Sequence, residues 1–472
     1  MWQTFKEELN SEWHVVKPVL AKNLLLKVAL VLLVSFIHNT DGQVRKYNSL
    51  MNAIYNPTHD VFASGVMALA EWDGLYFLQA TLVGYTNLKQ FAFFPGFPTL
   101  VRFILGCVHA VPGASLVLKG IPIAVVAVFT GFCVNLVLHL ANNWLLYQWL
   151  RRKGCSQHQA EFAILTFGLG GNTLYHVAYY SESLYMFITL LSLYLITKVG
   201  KNPADLPLSQ FIFLVVLFSC SGFVRYIGVT NGAYLGYPLL LEFIYSLVKE
   251  HNRHKALQIF KRMVIVVLCF FTPIIFLFIK SRMYFCHGPT EDDPDYKAPG
   301  FCGSAIGFYY SSIQEAYWGL KPFYYLRNPH ELLAWSSALV TFMVSTIWLY
   351  KAHRNAGTEG FLKLHIPEFL TNHNLQSPRI VEMPDLVIFS LQYVSYYAYA
   401  HLGSVERFWS ATPSYYLFLA SVQQLLVRLS QRKSGEPEPE YYMKILKYVV
   451  PASLTIRQFL VPVWHSLRIY PI

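Results

Sequence analysis

Residues 121–153 read IPIAVVAVFTGFCVNLVLHLANNWLLYQWLRRK, a long apolar run that stops at three consecutive cations. A helix gains about 1.5 Å per residue, so about 20 apolar residues cross the roughly 30 Å hydrocarbon core of a bilayer. The stretch from Ile121 to Trp149 exceeds that requirement. Basic residues accumulate on the cytosolic side of a membrane, so Arg151, Arg152 and Lys153 orient this span with its C-terminal end in the cytosol.

Similar runs recur along the whole chain. Of its 472 residues, 54% are hydrophobic and 13% charged, against the roughly 25% charged residues of an ordinary soluble domain. This balance argues against a soluble enzyme and predicts a single all-α, polytopic membrane domain over residues 1–472. The net charge of +11 arises from 37 Lys plus Arg against 26 Asp plus Glu. The cations cluster between apolar runs, at Lys17 to Lys27, Arg151 to Lys153, Lys198 to Lys201, Lys249 to Arg262, Lys351 to Arg354 and Arg428 to Lys433. Such clustering reports orientation and contact with membrane lipids rather than a nucleic-acid partner.

These anchors define a topology. The N-terminus lacks the short apolar core and small-residue cleavage site of a secretory signal, so Leu24 to Ile37 reads as an uncleaved first span. Residues 39–94 form a long lumenal loop with interfacial helices. The stretch from Pro95 to Lys119 is apolar but broken by Pro95, Pro98, Pro112 and Gly113. A full crossing there would deliver Arg151 to Lys153 to the wrong side, so it reads as re-entrant or interfacial. Spans then alternate at 160–178, 183–199, 207–224, 226–248 and 263–281. A second lumenal loop covers 282–330, and further spans lie near 332–350, 384–403, 414–428 and 445–465, with a cytosolic linker at 429–444. The expectation is about eleven crossings.

This topology gathers the unusual polar motifs on the lumenal face. Glu71-Trp72-Asp73, Tyr179 to Ser183 with Glu182, the turn around Arg225, and Glu406-Arg407 all fall at lumenal ends of spans. Cys286 and Cys302 bracket a lumenal segment where an oxidising compartment permits a bridge without requiring one. No Cys or His spacing typical of a metal site occurs, and neither a metal nor a cofactor is expected.

Acids and arginines at a lumenal membrane surface suit transfer from a lipid-linked sugar. Such a reaction needs a base for the acceptor hydroxyl, cations for the donor phosphate and an apolar groove for the lipid tail. An inverting displacement needs one catalytic carboxylate rather than the pair of a retaining hydrolase. Asp73, beside Trp72 and partly withdrawn from water, is the candidate base. Arg225 and Arg407 are candidates for the phosphate, and Trp72 and Glu182 for substrate contacts.

The motifs WDGLYF (72–77), FAFFPGFP (91–98), AYYSESLY (178–185), the Arg225-Tyr226-Ile227-Gly228 turn, YWGLKPFYYLRNPHELLAW (317–335) and RFWSATPSYY (407–416) resemble, in this order, the second mannosyltransferase family of glycosylphosphatidylinositol (GPI) anchor assembly. The resemblance implies the GT-C glycosyltransferase architecture in the endoplasmic reticulum membrane, with a lumenal active site. It further implies transfer of an α-1,6 mannose from dolichyl-phosphate-mannose to a mannosyl-glucosaminyl-phosphatidylinositol acceptor. Leu75 and Tyr76 depart from the family pattern after Asp73, and Tyr226-Ile227-Gly228 departs from it after Arg225.

Each candidate also has a structural reading. Asp73 and Glu71 suit an interfacial helix terminus, Glu182 suits the positive end of the next span, Arg225 suits a snorkelling side chain, and Arg407 suits a local pair with Glu406. His176 reads as a packing residue, although together with Asn172 it is the one hint of a membrane O-acyltransferase. A transporter would place polar groups at mid-bilayer depth between repeated halves. Another dolichol-dependent mannosyl or glucosyl transferase is the nearest rival. No protein partner is legible.

Overall fold

The computed structural model describes residues 2–40, 61–71, 73–111, 120–169, 173–286, 300–303, 309–318, 392, 411–417 and 419–420, and every regular element among them is helical. The chain divides into two compact units. The first comprises Met1–Gly84, Pro95–Tyr194 and Glu406–Ile472, and the second comprises Tyr85–Phe94 and Leu195–Val405.

The first unit contains α1 (Trp2–Thr40), α2 (Val61–Met67), α3 (Asp73–Leu82), α4 (Gly96–Ala110), α5 (Ile123–Arg152), α6 (Gln157–Leu169) and most of α7 (Glu182–Val199). Among the described residues α5 and α7 are long and apolar enough to cross a membrane, as is the helix Arg253–Phe285 of the second unit. With 15 residues, α4 is about 22 Å long, short of the hydrocarbon core. Its C-terminal neighbour Val111 is already extended.

Helix α1 is much longer than the expected first span and meets α5 and α6 through polar contacts. Asn23 Nδ2 donates to Asn143 Oδ1 at 2.8 Å, and Lys27 Nζ donates to the Gly168 carbonyl at 2.5 Å. Lys27, the last cation of the N-terminal basic cluster, is fully buried. The reason is local: a cation is favourable beside the carbonyls of a helix's last turn. Glycine at 168 also leaves room for close approach, since a Cβ there would collide with the Asn23 amide.

In the second unit lie α8 (Leu208–Val224), α9 (Ala233–Val248), α10 (Arg253–Phe285) and α11 (Tyr309–Trp318). Asn252 caps α10 by accepting from the Lys255 amide. Helices α8 and α10 pack at glycine, where a Cβ on Gly222 would stand 3.0 Å from Pro273. Arg262 donates to the Pro203 and Leu206 carbonyls, both at 2.7 Å, and lies over the Phe211 ring. Leu257, Val264, Leu268, Phe271 and Ile275 leave α10 with an exposed apolar surface of the kind acyl chains cover. Cys286 and Cys302 form a disulfide, with Cα atoms 5.5 Å apart.

Two expected spans differ in detail. The helix expected over 160–178 ends at Leu169, and Thr173–His176 form a separate 3-10 turn. The span expected over 226–248 begins as a 3-10 turn, Tyr226–Gly232, before α9 starts at Ala233. The expected spans at 332–350 and 445–465 lie outside the described residues, as do all of 384–403 except Gln392 and the greater part of 414–428.

Candidate functional site

Two of the acids singled out from sequence open helices of the first unit. Asp73 is the first residue of α3 and is half-buried, while Glu182 is the first residue of α7 and is fully buried. A helix N-terminus favours a carboxylate because its unpaired N–H groups carry partial positive charge. The neighbouring Glu71 is buried at 3% exposure, so Asp73 is the more accessible acid of its pair.

The segments bearing these acids are fastened together. The Tyr179 amide donates to the Leu69 carbonyl at 2.9 Å. The Tyr180 hydroxyl donates to the Glu71 carbonyl at 2.7 Å, and that oxygen also accepts from the Gly74 amide at 3.1 Å. Gly74 matters here because a Cβ would approach the Tyr179 carbonyl to 3.3 Å. The Tyr179 hydroxyl pairs with Thr81 Oγ1 at 2.8 Å. Burial pushes the Tyr179 phenol up, and this outweighs the opposing effects of the Thr81 hydrogen bond and the Arg102 charge, so it stays protonated at neutral pH. Arg102 closes the far end of α3 by donating to the Thr81 and Ala80 carbonyls at 2.7 and 3.1 Å. Phe97 of the FFPGFP motif packs edge-on to both Tyr179 and Phe77.

Helix α5 supports this assembly from behind. Asn135, His139, Asn142 and Asn143 are all fully buried, and their spacing places them along one helix face. Asn135 Nδ2 donates to the Ala178 and Tyr180 carbonyls at 2.6 and 2.9 Å, and Asn142 Nδ2 donates to the Ser183 carbonyl at 2.9 Å. The Ser183 hydroxyl donates to the His176 carbonyl at 2.5 Å. Gly131 lets the Tyr179 ring lie against the helix backbone, where a Cβ would collide with it. These residues were missed in the sequence because isolated amides in an apolar run resemble packing residues. The available signal was their helical repeat within a span, where polar groups are costly.

Arg225 belongs to the second unit. It terminates α8 in an extended conformation, and its amide donates to the Ser221 carbonyl at 3.0 Å while its own carbonyl accepts from the Gly228 amide at 2.9 Å. A Cβ on Gly228 would collide with the Ser221 carbonyl group, so only glycine closes this turn against α8. Asn231 donates to Ser221 Oγ at 3.0 Å and accepts from Gln392 at 3.0 Å. Next to Arg225, Tyr226 stacks on Tyr310 with centroids 4.5 Å apart and planes within 2°. Phe94 packs edge-on to both rings.

The structure therefore brings the Asp73 and Glu182 segments together within one unit and builds the Arg225 turn within the other. Trp72 and Arg407 lie outside the described residues. His176 is fully buried against the rings of Phe167 and His139, as expected of a packing residue.

A protein-family model described as mannosyltransferase (PIG-V) matches residues 18–461. The chain is similar to the Homo sapiens protein named GPI alpha-1,6-mannosyltransferase 2, with 26% identity over 412 residues, 77% of this chain and 75% of that one. The Cricetulus griseus protein of the same name is 25% identical over 311 residues, 62% of this chain. That match spans only 59% of the relative's own length. The Drosophila melanogaster protein named GPI mannosyltransferase 2 is 24% identical over 392 residues, 78% of this chain and 82% of that one. Among solved structures, the chain is similar to archaeal oligosaccharyltransferase AglB from Archaeoglobus fulgidus in complex with an inhibitory peptide and a dolichol-phosphate. That similarity has a TM-score of 0.40 and 11% identity, covering 93% of this chain and 56% of that one.

Proposed function

The chain belongs to the mannosyltransferase (PIG-V) family, and from that premise we propose that it adds the second, α-1,6-linked mannose during GPI-anchor assembly. The donor is dolichyl-phosphate-mannose and the acceptor is the mannosyl-glucosaminyl-phosphatidylinositol lipid. The observation carrying this reading is the half-buried Asp73 at the head of α3, two residues after the Glu71 carbonyl that accepts from the Tyr180 hydroxyl. The names of the Homo sapiens and Drosophila melanogaster relatives support the step.

The chemistry is a single displacement. The acceptor hydroxyl oxygen attacks the mannose C1, the bond from C1 to the phosphate oxygen breaks, and dolichyl phosphate leaves with the electron pair. Asp73 takes the hydroxyl proton. Arg225 and Arg407 neutralise the departing phosphate, a role suited to guanidinium groups. We assign substrate contacts to Trp72 and Glu182. We read the helical array as the GT-C architecture, in the endoplasmic reticulum membrane with the site facing the lumen. The Cys286–Cys302 disulfide supports a lumenal position for its loop, because such bonds persist in oxidising compartments.

Two measurements test this reading. Cells lacking the chain are expected to accumulate the GPI intermediate that carries one mannose, and re-expression is expected to clear it. Accumulation of a two-mannose or mannose-free species would assign the chain to another step. For orientation, an Asn-x-Thr acceptor sequence introduced between Pro289 and Pro299 is expected to become glycosylated, read as a gel shift reversed by glycosidase. An unmodified protein would overturn the lumenal assignment.

A further inference from the structure

The polar face of α5 presents a physical problem. A membrane-spanning helix gains nothing from amides facing its neighbours unless they bind something, and buried polar groups in a span are costly. Asn135 is fully buried and uses both hydrogens of one amide nitrogen on carbonyls two residues apart, Ala178 and Tyr180. Those carbonyls belong to an irregular stretch between the 3-10 turn at Thr173–His176 and the start of α7. Backbone oxygens buried outside regular structure need donors, and α5, a continuous helix of 30 residues, supplies them from a rigid base.

From this contact the connection continues toward the acids. Tyr180, whose carbonyl accepts from Asn135, gives its own hydroxyl to the Glu71 carbonyl. Tyr179, between the two anchored carbonyls, gives its amide to Leu69. Both acceptors lie within four residues of Asp73. Asn142, two helical turns along α5, holds the Ser183 carbonyl directly after Glu182. We propose that Asn135 is a positioning residue for Asp73, acting through the Tyr180 hydroxyl to set where the head of α3 stands. The proposal rests on the reading of Asp73 as the base, and it assigns the geometry of that base to a side chain on another helix.

An asparagine is required because aspartate has nearly the same shape but, when ionised, donates no hydrogen bond and sets a negative charge against two carbonyl oxygens. Asn135→Asp is therefore expected to lower kcat for mannose transfer 10- to 100-fold, with KM for dolichyl-phosphate-mannose within threefold of wild type. Protonation restores one donor, so the activity of this variant relative to wild type is expected to rise as the pH falls. Tyr180→Phe removes only the hydroxyl link and spares the packing, and a kcat loss of about tenfold is expected. Amide exchange over residues 177–183, followed by mass spectrometry on the purified full-length protein, is expected to quicken in both variants.

The outcomes separate. Tyr180→Phe with wild-type kcat, or unchanged exchange in both variants, overturns the positioning role even if Asn135→Asp folds poorly. A rise in donor KM with kcat preserved also overturns it. Wild-type protein that transfers no mannose overturns the functional reading beneath the proposal, and the proposal falls with it.

Discussion

Replacing Asp73 with asparagine is expected to abolish mannose transfer while leaving the protein at its normal level in the membrane. The variant is well matched to the question. Asp73 opens α3, and asparagine is tolerated at a helix start about as well as aspartate, so the helix keeps its terminus. The amide cannot accept the acceptor's proton at neutral pH. Loss of a positioned general base lowers the rate by about 10²–10⁴-fold, equivalent to roughly 3–5 kcal/mol of transition-state stabilisation. Glu71→Gln provides the comparison. Glu71 is buried, and it is its backbone carbonyl that receives Tyr180 and Gly74, so this change is expected to retain activity within a few fold. Transfer within threefold of wild type by Asp73→Asn, measured in membranes with radiolabelled donor, would remove Asp73 as the base.

The acids were legible in the sequence because a carboxylate next to an apolar run is conspicuous. Their support was not. Asn135 and Asn142 stand in an apolar run, and nothing local reveals that their partners are carbonyls about 40 residues downstream, at Ala178, Tyr180 and Ser183. Hydropathy found the apolar runs that fold as α5, α7 and α10 but misplaced a helix start at Ala233. There Gly228 and Gly232 fall in a 3-10 turn, a change of backbone that hydropathy does not register. Lys27 shows the same limit in reverse, since charge patterning assigns its side of the membrane but not its carbonyl partner. The cysteine pair needed three dimensions, because a sequence separation of 16 permits a bridge and only the 5.5 Å Cα separation makes one.

Gly228→Val is expected to have the second large effect, through the turn that carries Arg225. The obstruction at Gly228 is the backbone of α8, with the Ser221 carbonyl group and the Gly222 nitrogen in the path of any Cβ. A flexible side chain can rotate away, but a helix backbone cannot, so the turn itself must move. Overpacking of this kind costs about 1–3 kcal/mol and occasionally more. The movement would break the hydrogen bond from the Gly228 amide to the Arg225 carbonyl and misalign the Tyr226 ring stacked on Tyr310. The apparent melting temperature in detergent is expected to fall by a few degrees, with donor-dependent transfer reduced at least tenfold. Gly236→Ala tests whether the cause is steric. Gly236 lies within α9, and its Cβ would meet only Val266 Cγ1 at an ordinary 4.0 Å. Alanine there is expected to be neutral or to stabilise by about 0.5–1 kcal/mol, because it restricts the unfolded chain and favours the helix. Equal losses from both substitutions would mean that the second unit tolerates no added carbon anywhere near α8 and α9. A loss confined to Gly228 ties donor use to the shape of the Arg225 turn, and Arg225→Ala, which leaves that turn's backbone intact, then measures the guanidinium alone.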